Sequence, residues 1–467
     1  MNDGPKYDVA VIGAGVVGTA IARQLARYRL RTVVLERGLD VGTGTSKANT
    51  AILHTGFDTQ PGSLESTLVP RGHALLSDYA RAAGIALEPT GAVLVAWDTE
   101  QAARLDDVLV KATANRYGRA APLTIEELYT REPHLAPGAT GAVAIPDEAI
   151  ICPWSPSIAF ATEAVGAGVE LRLGVEVGDV ERAGDGAESG DDWLLHTSGG
   201  PIRSGWVVNA AGLGSDLLNR RFGHEEFTIA PRRGQLVVFD KLARPLVSSI
   251  VLPVPTERTK GVLVAPTVYG NVLVGPTAED IADPEDSATT AAGLDALLDA
   301  GGRIVPALAG EEVTATYAGV RAATEHRDYQ ITVHDAERYA CVGGIRSTGL
   351  TASLAIAEHV VAQMGAAGLA LVEAEEEPRI PSMPELGERA TRPFEDEGRV
   401  RADPAYGRIV CFCERVTEGE VRDALHSALP AVDLGGVHRR TRATNGRCQG
   451  FFCGAAIAAR LAPAARA

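Results

Sequence analysis

The sequence predicts a mixed α/β and α+β protein. A doubly wound, Rossmann-like dinucleotide-binding domain is interleaved with an antiparallel-sheet domain and followed by a small helical metal-binding module. Three observations predict it. The chain opens on an apolar strand, a glycine-rich turn and an alanine-rich helix; an acidic, proline-rich stretch interrupts the apolar pattern after residue 372; and four of the six cysteines fall in the last sixty residues.

The opening comes first. Tyr7-Asp-Val-Ala-Val-Ile12 reads as a strand, Gly13-Ala-Gly15-Val-Val-Gly18 as the turn, and the run through Arg27 as the helix. A second strand, Thr32-Val-Val-Leu-Glu36, ends in an acid about twenty residues on, placed to bind ribose hydroxyls. Gly13 permits the turn, Gly15 lets the backbone approach a pyrophosphate, and Gly18 allows close helix packing. The positive end of the helix then stabilises the phosphate.

At the other end, Cys411-Phe-Cys413 and Cys448-Gln-Gly-Phe-Phe-Cys453 are separated by 34 residues. Four thiolates from two short loops suit zinc or an iron-sulfur cluster. Structural zinc sites usually pair cysteines two to four residues apart, which a CxC pair does not match; a zinc knuckle or unrelated reduced thiols are the alternatives. The CxC pair and the second pair resemble the bacterioferritin-associated ferredoxin type, as do Glu414-Arg-Val-Thr417, Asp433-Leu434, Arg439-Arg-Thr-Arg442 and Gly446-Arg-Cys448-Gln-Gly450. That resemblance implies a two-iron, two-sulfur cluster held by Cys411, Cys413, Cys448 and Cys453. The spacing of the second pair is similar to the version fused to anaerobic glycerol-3-phosphate dehydrogenase large subunits.

Between the two ends, Gly44-Thr-Ser46-Lys47-Ala-Asn49-Thr50-Ala-Ile-Leu-His54-Thr-Gly56 resembles the flavin-contacting loop of the glycine oxidase and D-amino-acid oxidase superfamily, in the branch with 2-hydroxyglutarate and glycerol-3-phosphate oxidases. The family order continues in Val207-Val-Asn-Ala-Ala-Gly212-Leu-Gly-Ser215-Asp216, Pro231-Arg-Arg-Gly234-Gln235 and Gly343-Gly-Ile-Arg346-Ser-Thr-Gly349-Leu-Thr351. The resemblance implies FAD, contacted by Thr45, Ser46, Asn49, Ala211, Gly212, Gly344, Gly349, Leu350 and Thr351 as well as by the opening turn. It implies His54 as the base facing the flavin and Arg321, in Ala-Gly-Val-Arg321, as the binder of the substrate anion, with Arg346 a second candidate. Histidine titrates near neutrality, which suits proton abstraction, and a guanidinium fork fits carboxylate or phosphate. The segment from Lys260 to Asn271, with Gly275-Pro-Thr-Ala-Glu-Asp280, also follows the family and is expected to shape the pocket.

The superfamily's interleaving implies FAD segments near 1–80, 148–225 and 318–372, with substrate segments at 81–147 and 226–317. Composition marks 373–407 as an acidic, proline-rich extended linker, with the cluster module at 408–467. A length of 467 residues suits about three folding units. A formal charge of −16 argues against nucleic acid but leaves room for an anionic substrate held by converging cations. No apolar run approaches the roughly 20 residues that cross a bilayer, and the N-terminus lacks a signal-peptide pattern. A cytoplasmic protein is expected, one that a partner can hold at the membrane periphery.

Together these readings give an FAD-dependent dehydrogenase for a small anionic hydroxy compound, most like glycerol 3-phosphate, passing electrons through the cluster to a partner subunit or quinone system. Oxidation of 2-hydroxyglutarate, an amine- or opine-oxidising complex, and a pure electron-transfer subunit are the alternatives.

Overall fold

The computed structural model describes residues 4–183, 192–255 and 261–464, with no side-chain description beyond residue 461. Lys260, at the head of the pocket-shaping segment, lies outside the described residues.

Five parallel strands form the centre of the first sheet, in the order Glu170–Leu173, Thr32–Glu36, Lys6–Ile12, Ile202–Asn209 and Tyr339–Gly343. The strands Lys6–Ile12 and Thr32–Glu36 are nearly continuous apolar runs because a parallel sheet is covered on both faces. Trp193–Thr197 pairs antiparallel with the first half of Ile202–Asn209, Val177–Arg182 with Trp193–Thr197, and Gln330–His334 with Tyr339–Gly343. The helix Val16–Leu25 packs between Ser155–Gly166 and Gly349–Ala366, and Leu64–Ala83 lies against the latter. These helices and the sheet close over one apolar core that includes Val9, Val11, Ile21, Leu25, Phe160 and Ile356.

The second sheet has nine strands, antiparallel except where Ile250–Pro253 runs parallel to Ala92–Ala96. Its longest pair is Ile229–Phe239 with Val313–Thr324. The change of domain expected at residue 318 therefore falls inside a continuous strand. Arg321 is carried by the antiparallel sheet.

The C-terminal module is a short hairpin, Ile409–Cys411 with Val416–Thr417, and the helices Glu418–His426, Leu434–Thr441 and Gly454–Ala464. Thr417 and Glu420 cap the first helix reciprocally, and Asp433 Oδ1 accepts from the Gly436 N–H at 2.5 Å to start the second. The stretch 373–407 does not hang free. It contains the helix Glu397–Ala402 and is fastened to the body, with Glu377 on Arg27 at 3.0 Å, Arg389 on Glu88 at 3.2 Å and Glu388 on Lys241 at 2.7 Å. Its acids and arginines find partners on the body it crosses, which composition alone could not reveal.

Candidate active site and metal centre

The glycine turn takes the shape that its sequence demands. Gly13 has φ +104°, where an L side chain is strained, and a Cβ on Gly18 would sit 1.9 Å from the Gly13 carbonyl oxygen. The helix begins at Val16 with no acid in its first turn, and the Val16 N–H donates to Ser46 Oγ at 3.0 Å. That leaves an anion-attracting helix end facing the hydroxyl-bearing loop. Glu36 ends its strand beside the turn. Its Oε2 accepts from the Ala14 N–H and its Oε1 from the Gly38 N–H, both at 2.7 Å. Two of the four lone-pair positions of the carboxylate stay open to hydroxyl donors. The donors, the turn and the acid fit a dinucleotide.

One loop, residues 45–54, ties the site together. Thr45 Oγ1 donates to the Val320 carbonyl at 2.8 Å, and the Asn49 carbonyl accepts from Tyr317 Oη at 2.8 Å. The His54 N–H donates to Thr351 Oγ1 at 3.0 Å. Asn49 is also held internally, its Nδ2 donating to the Ser46 carbonyl and its Oδ1 accepting from the Ala51 N–H. The loop thereby touches the opening helix, the strand that carries Arg321 and the helix that begins at Gly349. Ala211 and Gly212 follow the strand Ile202–Asn209, where the Ala211 N–H donates to Asn209 Oδ1 at 3.2 Å. Gly344 has φ +65°, and Leu350 and Thr351 are buried in the first turn of the helix Gly349–Ala366.

His54 has a partner that the sequence reading missed. Glu148, fully buried, places Oε2 3.2 Å from His54 Nδ1, within ion-pair distance though not aligned as a hydrogen bond. Glu148 Oε1 accepts from the Thr55 N–H at 2.7 Å and from Thr55 Oγ1 at 2.9 Å, which fixes the carboxylate. A carboxylate at Nδ1 favours the tautomer that carries its proton on Nδ1 and its lone pair on Nε2. No motif betrays Glu148, which lies 94 residues further on in an ordinary Pro-Asp-Glu-Ala turn; only its pairing of Ile52 with Ile150 across two short strands brings it close.

Arg321 is largely buried. Its guanidinium lies against Gly234, where a Cβ would come within 2.6 Å of Nη2, and Nη1 reaches only the Thr277 carbonyl, at 3.5 Å. Among the described residues no carboxylate pairs with it. Burial, and then the charge of Arg232, hold its pKa below the ordinary value for arginine. A buried cation without a counter-ion is costly unless a ligand supplies the charge. Arg346 stands differently, half-buried and donating through Nη2 to the Arg327 carbonyl; no contact brings it to His54 or Arg321.

In the C-terminal module, Cys411 and Cys453 are buried while Cys413 and Cys448 are half-buried. The thiols act on one another in pairs, Cys413 with Cys448 and Cys411 with Cys453. The Phe452 N–H, with those of Gly450 and Phe451, holds the Cys448 thiol below its usual value, whereas burial raises Cys413 and pushes Cys453 up to about 11. A sulfur set with backbone N–H donors around it and mutual repulsion to relieve fits an iron-sulfur cluster.

The module is docked by charge onto both sheets. Arg440 Nη1 and Nη2 grip Asp40 at 2.7 and 2.8 Å, and Arg439 adds a third bond at 2.5 Å. Arg442, held within the module by Glu414 at 3.1 Å, lies over the Tyr269 ring of the body, and Arg447 reaches Asp240 at 2.9 Å. Burial alone would raise the Asp40 carboxyl, but Arg440 and Arg439 hold it below the usual carboxylate range. Between the module and residues 47–51 lies a cavity of about 370 Å³ with walls that include Trp154, Tyr269, Tyr317 and His438. His438, Arg442 and Gln449 of the module thus face residues 47–51 across this cavity, while Phe412, Phe451 and Phe452 beside the cysteines point into solvent.

Comparison with known proteins agrees with this layout. Residues 8–363 match the family described as FAD dependent oxidoreductase, and residues 409–462 match the BFD-like [2Fe-2S] binding domain. The glycerol 3-phosphate dehydrogenase of Caloramator mitchellensis is 35% identical over 452 residues, covering 96% of this chain and 92% of its own. Subunit A1 of the anaerobic glycerol-3-phosphate dehydrogenase of Haloferax volcanii is 28% identical over 97% of this chain and 82% of its own. Among solved structures, the dithionite-reduced L-alpha-glycerophosphate oxidase of Mycoplasma pneumoniae with FAD bound superposes with a TM-score of 0.76 at 28% identity, over 82% of this chain and all of the other.

Proposed function

The chain belongs to the FAD-dependent oxidoreductase family and carries a BFD-like [2Fe-2S] binding domain, and from that premise we propose that it dehydrogenates glycerol 3-phosphate at the secondary hydroxyl. The observation that carries this reading is Arg321, a largely buried cation with no carboxylate partner among the described residues. A phosphate there supplies the missing charge, and the guanidinium fork fixes it bidentately.

The opening turn, Glu36 and loop 45–54 hold FAD, and Cys411, Cys413, Cys448 and Cys453 hold the cluster. When bound, FAD supplies hydride acceptance and the cluster a one-electron outlet. The protein's own residues do the rest. Arg321 anchors the phosphate and so aims the carbinol carbon. His54 Nε2 takes the hydroxyl proton as the C–H bond breaks, and Glu148 keeps Nδ1 protonated and the ring oriented. Arg346, tied to a backbone carbonyl, is the second candidate for the substrate anion. Substrate binding that desolvates this pair strengthens both interactions.

The electron acceptor is a partner protein or quinone system reached through the exposed Phe412, Phe451 and Phe452 edge, since aromatic side chains grouped in solvent mark contact surfaces. No helix among the described residues is long and apolar enough to cross a membrane, so a cytoplasmic chain would meet quinone through that partner.

Anaerobic mixing of the purified protein with glycerol 3-phosphate tests the reading. Bleaching of the flavin band, with glycine and L-2-hydroxyglutarate inert, is the expected result. Bleaching by either of those and not by glycerol 3-phosphate overturns it.

A further inference from the structure

Away from both sites, the turn after the helix Ser215–Arg221 brings His224 and Glu226 to His334, at the end of the strand Gln330–His334. One ligand atom from each lies within 4.8 Å of the others. Glu226 Oε1 stands 3.3 Å from His334 Nε2 and 3.5 Å from His224 Nδ1. Bonds of about 2.0–2.1 Å to a tetrahedral zinc ion place neighbouring ligand atoms about 3.3–3.4 Å apart, so the separations from the carboxylate oxygen to the two nitrogens are already close to those of such a site.

The surroundings are those of a ligand set. His224 Nε2, the nitrogen pointing away from Glu226, is 2.7 Å from Glu337 Oε2, the carboxylate–histidine arrangement that orients a metal-binding imidazole. Glu226 Oε2 accepts from Asn219 Nδ2 at 2.5 Å, and Asn219 Oδ1 accepts from Tyr339 Oη at 2.8 Å. His334 Nε2 is buried and makes no hydrogen bond, although the Glu226 carboxylate is at ion-pair distance. The two imidazoles are stacked, with centroids 3.6 Å apart and planes 17° from parallel. Closing on an ion requires the rings to fan apart, and His334 Nε2 gives up no hydrogen bond in doing so. The half-exposed Glu226 leaves an approach for the ion and room for a water.

We propose that His224, Glu226 and His334 bind a divalent ion of the zinc class, with water as fourth ligand and Glu337 as the group that orients His224. Imidazole and carboxylate together suit zinc better than the hard cations, which prefer oxygen alone. The ion clamps the turn to the strand. Phe227, next to that turn, lies so close to Gly343 that a Cβ there would meet the ring at 2.3 Å, so the clamp stands behind the loop 343–351 without belonging to the reaction.

The test uses the full chain with its cluster. Wild type, Glu226→Gln and His334→Ala are incubated with zinc chloride, passed through gel filtration and analysed for zinc and iron in the same samples. Wild type is expected to retain one more zinc per chain than either variant at equal iron, and zinc should raise the melting temperature of wild type alone. Glu337→Gln should weaken zinc about 10–100-fold, the usual effect of losing an orienting partner. Equal zinc retention in wild type and Glu226→Gln at equal iron overturns the site. Glu226→Gln preserves shape, so it decides the matter even if His334→Ala fails to fold.

Discussion

Two arginines, Arg440 and Arg321, show how this molecule uses buried charge in opposite ways. Arg440 meets Asp40 through both terminal nitrogens and adds bonds to the Leu429 and Gly436 carbonyls. Arg321 has one long bond to a carbonyl. Desolvating an ion costs several kcal/mol unless a partner compensates, so the first arrangement is a compensated joint, while the second has no carboxylate partner among the described residues, which is what the proposed anion-binding role of Arg321 rests on.

The largest effect tests the pocket side. His54→Ala should lower turnover by a factor on the order of a hundred to ten thousand, the range for a lost general base, with FAD content near normal; cofactor released by heat and steady-state rates measure both. Asp40→Ala, on the interface side, leaves Arg439 and Arg440 without their counter-ion and should destabilise the chain by about 3–5 kcal/mol, read from urea unfolding. Should the unfolding midpoint stay where it is, the joint is not a joint and the contrast fails. Arg321→Ala should cost about 2–5 kcal/mol in kcat/KM for an anionic substrate while stability changes little, because an uncompensated charge is removed. A loss of stability as large as that of Asp40→Ala would mean that Arg321 is structural.

Acid gives the smallest and sharpest distinction. Burial, and then Arg442 and Arg439, push His438 down to about 3, against an ordinary value of about 6.5. The unfolded chain therefore takes up this proton first as pH falls, and stability drains away between about pH 6.5 and 3. Asp40, depressed below the usual range of about 3.9, contributes stability present above that pH and lost as pH falls through its folded value. Urea midpoints from pH 7 to 3 should thus decline in two stages, and His438→Gln should flatten the upper one. A single fall below pH 4 in both proteins would remove His438 from the account.

What the sequence disclosed was local. The glycine turn, the acid at Glu36 and the paired cysteines are read within a few residues of one another, because each serves one backbone bend or one ligand set. Loop 45–54 was singled out through family resemblance, and its hydrogen bonds to Val16, Val320, Tyr317 and Thr351 fasten it to three separate elements of the fold. Glu148 and Asp40 were not found. Both are single acids without a motif, and their partners lie 94 and 400 residues away, where only strand pairing and module docking join them. The boundary expected at 318 missed for a related reason, since the strand Val313–Thr324 serves the antiparallel sheet and the flavin loop at once.

Trp154 occupies the seam where these parts meet. Its indole N–H donates to the Lys47 carbonyl at 3.1 Å, its ring stacks on Tyr269 at 5.4 Å, and His438 of the module meets it edge-on at 5.1 Å. Of the chain's four tryptophans, Trp97 packs against the core of the antiparallel sheet, and Trp193 and Trp206 are buried in the body away from this seam. Lifting the module would exchange His438 and Arg442 for water beside the indole, so the fluorescence of this one residue should shift to the red as the joint opens. The molecule carries its own optical gauge of whether the electron outlet is seated, and Trp154→Phe would switch that gauge off.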